Sequence, residues 1–222
     1  MKPPTISTIT LTQPWASLIA IGAKCIETRG WYPRTLRPGS RIAIHAAKGW
    51  PQDARWLCTQ EPFRTALRAA YRAGYFPFMQ TPDSRNLPRG CVVALARYVK
   101  AVSTNRLNGR DLTEEEIAFG NYEPDRYAWF LEDVRPIEPV SVPGKLGIWQ
   151  WAPPDWMTYL ELKPPVLPAP TEALAPIAAP SSTPSSAPFL AEVQRGLMRW
   201  RRGLFDDYEQ QRKVGAGRAP CG

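Results

Sequence analysis

Residues 6–12, Ile-Ser-Thr-Ile-Thr-Leu-Thr, are dense in β-branched side chains and lie between Pro3-Pro4 and Pro14, which predicts a short first strand. Pro14 suits a first helical turn, Trp15, Leu18, Ile19 and Ile21 supply an apolar face, and Gly22 offers a stop, so a helix is predicted over 14–21. Cys25 to Arg29 reads as a strand leaving a tight turn at 22–24. Another strand, Arg41 to Ala47, follows the turn Pro38-Gly39-Ser40. Between Gln52 and Ala73 the apolar residues Ala54, Leu57, Phe63, Ala66, Leu67, Ala70 and Tyr71 recur at helical intervals, with a break near Pro62. After the turn Leu87-Pro88-Arg89-Gly90, Cys91 to Ala101 is the longest strand candidate. Thr113 caps a helix over Glu114 to Phe119 that Gly120-Asn121 ends. Tyr127 to Val134 and Ile137 to Val142 read as two strands bent at Pro136, and Leu146 to Trp151 completes the set. Short strands with small helices inserted, rather than regular βα alternation, predict an α+β domain built as a mixed β-barrel over residues 1–151.

The pattern then fails. Ten prolines fall between Pro153 and Pro188 among many Ala and Ser, with no apolar period, so residues 152–189 are expected to be a disordered linker. Beyond it Leu190, Val193, Leu197, Trp200 and Leu204 step by three and four residues, a narrow apolar seam flanked by Arg195, Arg199, Arg201 and Arg202. This predicts a basic amphipathic helix over 190–213 and a disordered tail over 214–222. Alone such a helix is marginal, so residues 190–204 are expected to dock on their own domain or on a protein partner.

Composition sharpens the picture where it is uneven. The chain of 222 residues carries a net charge of +8, and residues 1–151 account for most of it, with 20 basic side chains against 13 acidic. A basic N-terminal domain favours polyanionic partners. Four cysteines lie far apart, no CxxC pair occurs and His45 is the only histidine, which argues against a metal site. Small thiols of this kind suit a reducing cytoplasm, and no cofactor is expected. Gln13, Pro14 and Trp15 interrupt any leader-like apolar run, and no stretch reaches the ~18 apolar residues of a membrane span.

Four pieces of the N-terminal part form a set: Gln13-Pro14-Trp15-Ala16-Ser17-Leu18, Gly22-Ala23-Lys24-Cys25-Ile26-Glu27-Thr28-Arg29, Ile44-His45-Ala46-Ala47-Lys48 and Gly147-Ile148-Trp149-Gln150-Trp151. Together they resemble the ASCH domain, the activating signal cointegrator homology family of the PUA-like superfamily. Gly22, Lys24, Glu27 and Arg29 match its G-x-K-x-x-E-x-R signature. The resemblance implies a PUA-like β-barrel whose first helix and signature strand border a basic cleft used for RNA or related nucleic acids. It also implies a hydrolase alternative, an amidohydrolase acting on an acylated cytidine or a ribonuclease, through the signature lysine. In the amidohydrolase-like relatives that lysine works with a threonine three residues later and with a distant carboxylate. Here Glu27 occupies that place and the threonine is Thr28, a departure that argues against deacylation.

Read by themselves, Glu27 and Arg29 are two apart on a strand and share a face, either as an ion pair ordering the barrel mouth or as joint ligand contacts. Lys24, in the turn before them, is placed to meet a phosphate or a base carbonyl, and a carboxylate beside it favours electrostatic binding over nucleophilic attack. His45 shares a face with Ala43 and Ala47, opposite Ile42 and Ile44, and suits a structural imidazole. Lys48 is a phosphate candidate at the strand end. Trp15, Tyr127 and Trp129, with Trp31 and Tyr32 just after the signature, are candidates for stacking on bases, while Trp149 and Trp151 are expected to plug the barrel end.

The resulting expectation is a module binding single-stranded RNA or a modified nucleotide in a cleft lined by Gln13, Trp15, Lys24, Glu27, Arg29, His45, Lys48, Tyr127 and Trp129. The alternatives are a hydrolase of an acylated nucleoside or RNA phosphodiester with Lys24 and Glu27 as catalytic residues, and an adaptor recruiting a protein through residues 190–204.

Overall fold

A computed structural model of the chain describes residues 5–75, 86–107, 112–155 and 157. The helix expected over 190–213, the tail at 214–222 and nearly all of the linker at 152–189 lie outside the described residues. Among the described residues, six strands and four short α-helices follow in the order β1 (Ile6–Leu11), α1 (Trp15–Ala20), β2 (Ile26–Arg29), β3 (Arg41–Ala46), α2 (Gln52–Leu57), α3 (Phe63–Arg72), β4 (Cys91–Ser103), α4 (Glu114–Phe119), β5 (Tyr127–Ser141) and β6 (Ile148–Trp151).

Local chemistry explains the boundaries. Gly22, at φ 73°, takes the left-handed conformation that closes α1, and its N–H donates to the Ile19 carbonyl at 2.8 Å. The turn folds back so far that the Lys24 N–H reaches the Leu18 carbonyl at 3.1 Å. Thr113 Oγ1 accepts from the Glu116 N–H at 3.1 Å and starts α4. Pro62 separates α2 from α3, and Glu61 Oε2 accepts from the Thr65 N–H at 3.2 Å on the first turn of α3.

All six strands form one mixed sheet in the order β2-β5-β4-β3-β1-β6. Only β1 and β3 run parallel; the other four neighbouring pairs are antiparallel. The expected closed barrel is corrected here: β2 and β6 are edges, and the sheet curls without closing. Along Ile6–Ile9, β1 pairs with β3 on one side and β6 on the other, and farther along β2 meets it through the Arg29 side chain rather than a backbone ladder.

Residues 127–141, expected as two strands, form one long β5. Pro136 stands opposite Ala94, between register shifts at Val92/Ala94 and Leu95/Arg97, where the ladder is interrupted and a missing N–H is tolerated. These irregularities bend β4 and β5 together and bring β2 round toward β1.

The main core gathers Ile9, Leu11, Ile42, Ile44, Val93, Ala96, Tyr98, Trp129 and Leu131 beneath α1. Alternation along β3 places Ala43 on the opposite face, where a second cluster joins it with Val92, Leu95, Trp149, Trp151 and Met157. The two tryptophans therefore pack against a sheet face instead of plugging a barrel end. Among the described residues no helix is long and apolar enough to cross a membrane.

Candidate functional site

The register of β2 against β5 pairs Glu27 with Trp129 and Arg29 with Tyr127, so four of the sequence-predicted residues share one sheet face. Ile26 points the other way, as its alternation requires, but the main core lies on the Glu27 side, with Trp129 fully buried in it. Arg29 Nε stands 2.9 Å from Glu27 Oε1, and its Nη2 donates to the Thr10 carbonyl at 2.8 Å. Just beyond β2 the chain lays two exposed rings over this face. Trp31 meets Trp129 edge to face at 4.8 Å between centroids, and Tyr32 meets Tyr127 in the same manner at 5.5 Å.

Lys24, expected to meet a phosphate or a base carbonyl, is enclosed instead. The turn after Gly22 directs it inward, where it is 1% exposed and its Nζ lies 3.1 Å from Glu116 Oε1. Glu116 is the hub of this part of the molecule. Its Oε1 also accepts from the Tyr122 hydroxyl at 3.1 Å, and its Oε2 accepts from the Cys25 N–H at 2.8 Å. One carboxylate from α4 thus ties the signature turn, the start of β2 and the loop after α4 together.

The electrostatics follow from this crowding. Burial, with Glu116 beside it, pushes the Tyr122 hydroxyl far above the usual phenol range, so it stays a donor. The Cys25 thiol is raised by burial and by Glu116, with Lys24 opposing, which is the reverse of an activated nucleophile. Arg126, lowered by burial and supported by Glu27 and Glu123, donates through Nη2 to the Thr28 carbonyl at 3.2 Å. Thr28 Oγ1 accepts from the Asn121 N–H at 3.0 Å. The segment between α4 and β5 therefore grips β2 through both the backbone and the side chain of Thr28.

The remaining sequence-predicted residues sit elsewhere. Gln13 is fully buried; its Oε1 accepts from the Ser17 N–H at 3.1 Å and caps α1, while Nε2 donates to the Pro88 carbonyl at 2.6 Å. Trp15 donates through Nε1 to the Phe119 carbonyl at 2.7 Å, holding α1 to α4, and its ring meets Phe63 of α3. His45 lies on the opposite sheet face, edge-on to Trp149, with Nε2 3.0 Å from the Val142 carbonyl. Burial pushes its imidazole below its usual value, against the opposing effect of that hydrogen bond. Lys48 is exposed beyond the end of β3.

Glu116, Tyr122 and Arg126 were missed by sequence reasoning. Thr113 and Glu116 at capping-box spacing were visible, but that pattern predicts a carboxylate folded back on its own helix end. Nothing local signals a partner 92 residues away.

The ASCH domain family model matches residues 9–141, a span that runs from within β1 to the end of β5 and includes Lys24, Glu27, Arg29, Glu116, Tyr122 and Arg126. The chain belongs to the ASCH domain family. Among solved structures, the ASCH protein of Zymomonas mobilis is 17% identical, with a TM-score of 0.40 and coverage of 70% of this chain and 94% of that one. A mutant of the same protein, with one tyrosine changed to phenylalanine, is also 17% identical, with a TM-score of 0.39 and coverage of 72% and 99%. No curated protein matches the chain.

In this ASCH domain the signature is shared between two assemblies. Gly22 turns the chain so that Lys24 joins the buried Glu116 hub, whereas Glu27 and Arg29 stand opposite Trp129 and Tyr127 in the sheet. Among the described residues no group of three or more His, Cys, Asp or Glu side chains converges as a metal site.

Proposed function

We propose that this ASCH domain binds single-stranded RNA, or a modified nucleotide within it, at the face built by Trp31, Tyr32, Arg29, Tyr127 and Trp129. The observation that carries this reading is the exposure of two adjacent aromatics, Trp31 at 38% and Tyr32 at 49%, each braced edge-on by a ring of β5. A braced ring is an oriented platform for an unstacked base, worth about 1–3 kcal/mol per base. Exposed Arg34 and Arg37 follow in the same loop and supply cations for phosphate. Lys24 and Glu116 hold the platform's strand in place from below.

A second reading, a hydrolase of an acylated nucleoside or RNA phosphodiester, draws support from the close grouping of Lys24, Glu116, Tyr122 and Glu27. It requires a substrate to reach a lysine that the structure encloses. For either activity we favour a cytoplasmic setting, in keeping with the unbridged thiols of Cys25 and Cys91.

The test titrates a labelled four-nucleotide oligouridylate and follows Trp fluorescence, with product analysis by mass spectrometry on the same samples. Trp31→Ala and Tyr32→Ala should each weaken binding about tenfold while leaving the oligonucleotide intact. Equal binding by parent and both variants would overturn the platform; product that vanishes in Lys24→Met would move the assignment to the hydrolase.

A further inference from the structure

Helix α3 presents a face that the proposed platform does not use. Its buried side is Phe63, Leu67 and Ala70, at spacings of four and three, packed toward α1 and α4. On the outer side Arg64, Arg68 and Arg72 follow each other at intervals of four and are all exposed. Residues four apart on a helix are neighbours about 6 Å apart along the axis, so the three guanidinium groups form one line.

Such a line is unfavourable in isolation, because like charges at this spacing repel one another across each turn. A helix that only needed a solvated face would intersperse carboxylates. Only Arg64 is compensated, by Glu61 Oε1 at 2.6 Å from its Nη2, and Glu61 is committed further by accepting from the Thr65 N–H. Arg68 and Arg72 pair with no carboxylate among the described residues. The surrounding stretch adds to the imbalance: residues 48–75 hold five basic side chains and two acidic ones. The Tyr71 and Ala69 positions between the arginines keep the outer face free of acid.

We propose that the Arg68–Arg72 side of α3 is a second nucleic-acid contact, one that grips the phosphate backbone of a strand too long to be held by the Trp31–Tyr32 platform alone. Charge complementarity selects the occupant: guanidinium forks in line match successive phosphates and carry no base preference. This contact rests on the nucleic-acid reading for its ligand class but on different residues. Its signature is length dependence, since a strand must extend past the platform to offer phosphates to α3.

The experiment compares labelled oligouridylates of four and twenty nucleotides by fluorescence anisotropy across a salt series, for the parent and for the double variant Arg68→Gln with Arg72→Gln. Both positions are exposed, so the fold is retained. For the twenty-nucleotide strand the variant should bind about tenfold more weakly at low salt, and its log-log salt slope should fall by about 1.4, two single-strand phosphate contacts. Binding of the four-nucleotide strand should not change. An unchanged slope and affinity for the long strand would refute the α3 contact while leaving the platform standing. If the parent binds neither strand, both assignments fall.

Discussion

Arg29 donates from β2 to the Thr10 carbonyl of β1 at 2.8 Å, joining two strands that share no backbone ladder. The same guanidinium keeps its Nε beside Glu27 at 2.9 Å. It is a side-chain strap across the gap of an unclosed sheet, and the planar fork is what lets one residue serve both partners.

Replacing that fork by a single ammonium should loosen the curl. Arg29→Lys is expected to lower stability by about 1–3 kcal/mol, the worth of a charge-assisted hydrogen bond. Urea unfolding monitored by Trp fluorescence reads this directly. A midpoint equal to the parent's would mean that the bends in β4 and β5 hold the curl unaided.

The Lys24–Glu116 pair is a stronger case because both groups are buried. Lys24→Met leaves a buried carboxylate and should cost about 3–5 kcal/mol, as should Glu116→Gln, which strands the ammonium. Combining Lys24→Met with Glu116→Leu should recover a large part of the loss. A double-mutant cycle with no coupling would show that the two groups act independently.

His45 ties stability to pH. Burial depresses its imidazole below the ordinary 6.5, so above that value the folded and unfolded chains are both neutral there and nothing is lost. As pH falls below 6.5 the unfolded chain takes up a proton that the folded one refuses. Stability should then decline by up to about 1.4 kcal/mol per pH unit, levelling off below the folded value. Denaturation midpoints between about pH 5 and 8 should show this slope in the parent and lose it in His45→Gln.

Gly144 packs against the same ring. A Cβ there would stand 2.5 Å from His45 Cε1 and 2.8 Å from its Nδ1, closer than atoms tolerate. Gly144→Ala should therefore displace the imidazole or the loop, at a cost of about 1–3 kcal/mol. The shift of the His45 ring resonances by NMR, together with the unfolding midpoint, checks it.

Most strands and helices were legible because they are short, many lie beside a Pro or Gly, and each is patterned by its own residues. Gly22 and Thr113 marked helix ends correctly, and the shared face of Glu27 and Arg29 followed from simple alternation. What escaped was decided between distant segments. Pro136 looked like a strand break, yet it falls where β4 and β5 already lose register. Closure of the barrel depended on whether the edge strands β2 and β6 meet, which only the order of all six strands reveals. Lys24 pointed inward because a carboxylate from α4 was waiting there, and the sequence of the signature alone carries no trace of that partner.

The second core has a practical meaning for what counts as one folding unit. The family span ends at residue 141, but β6 pairs with β1 from Ile6–Trp151 to Ile9–Ile148, and Met157 is buried against Trp149 and Trp151. A fragment trimmed to 9–141 would strip one neighbour from β1 and uncover Ala43, Val92 and Leu95 on that sheet face. An open, apolar edge of that kind invites pairing between molecules, so a protein cut at its family boundary should clump where the longer chain stays apart.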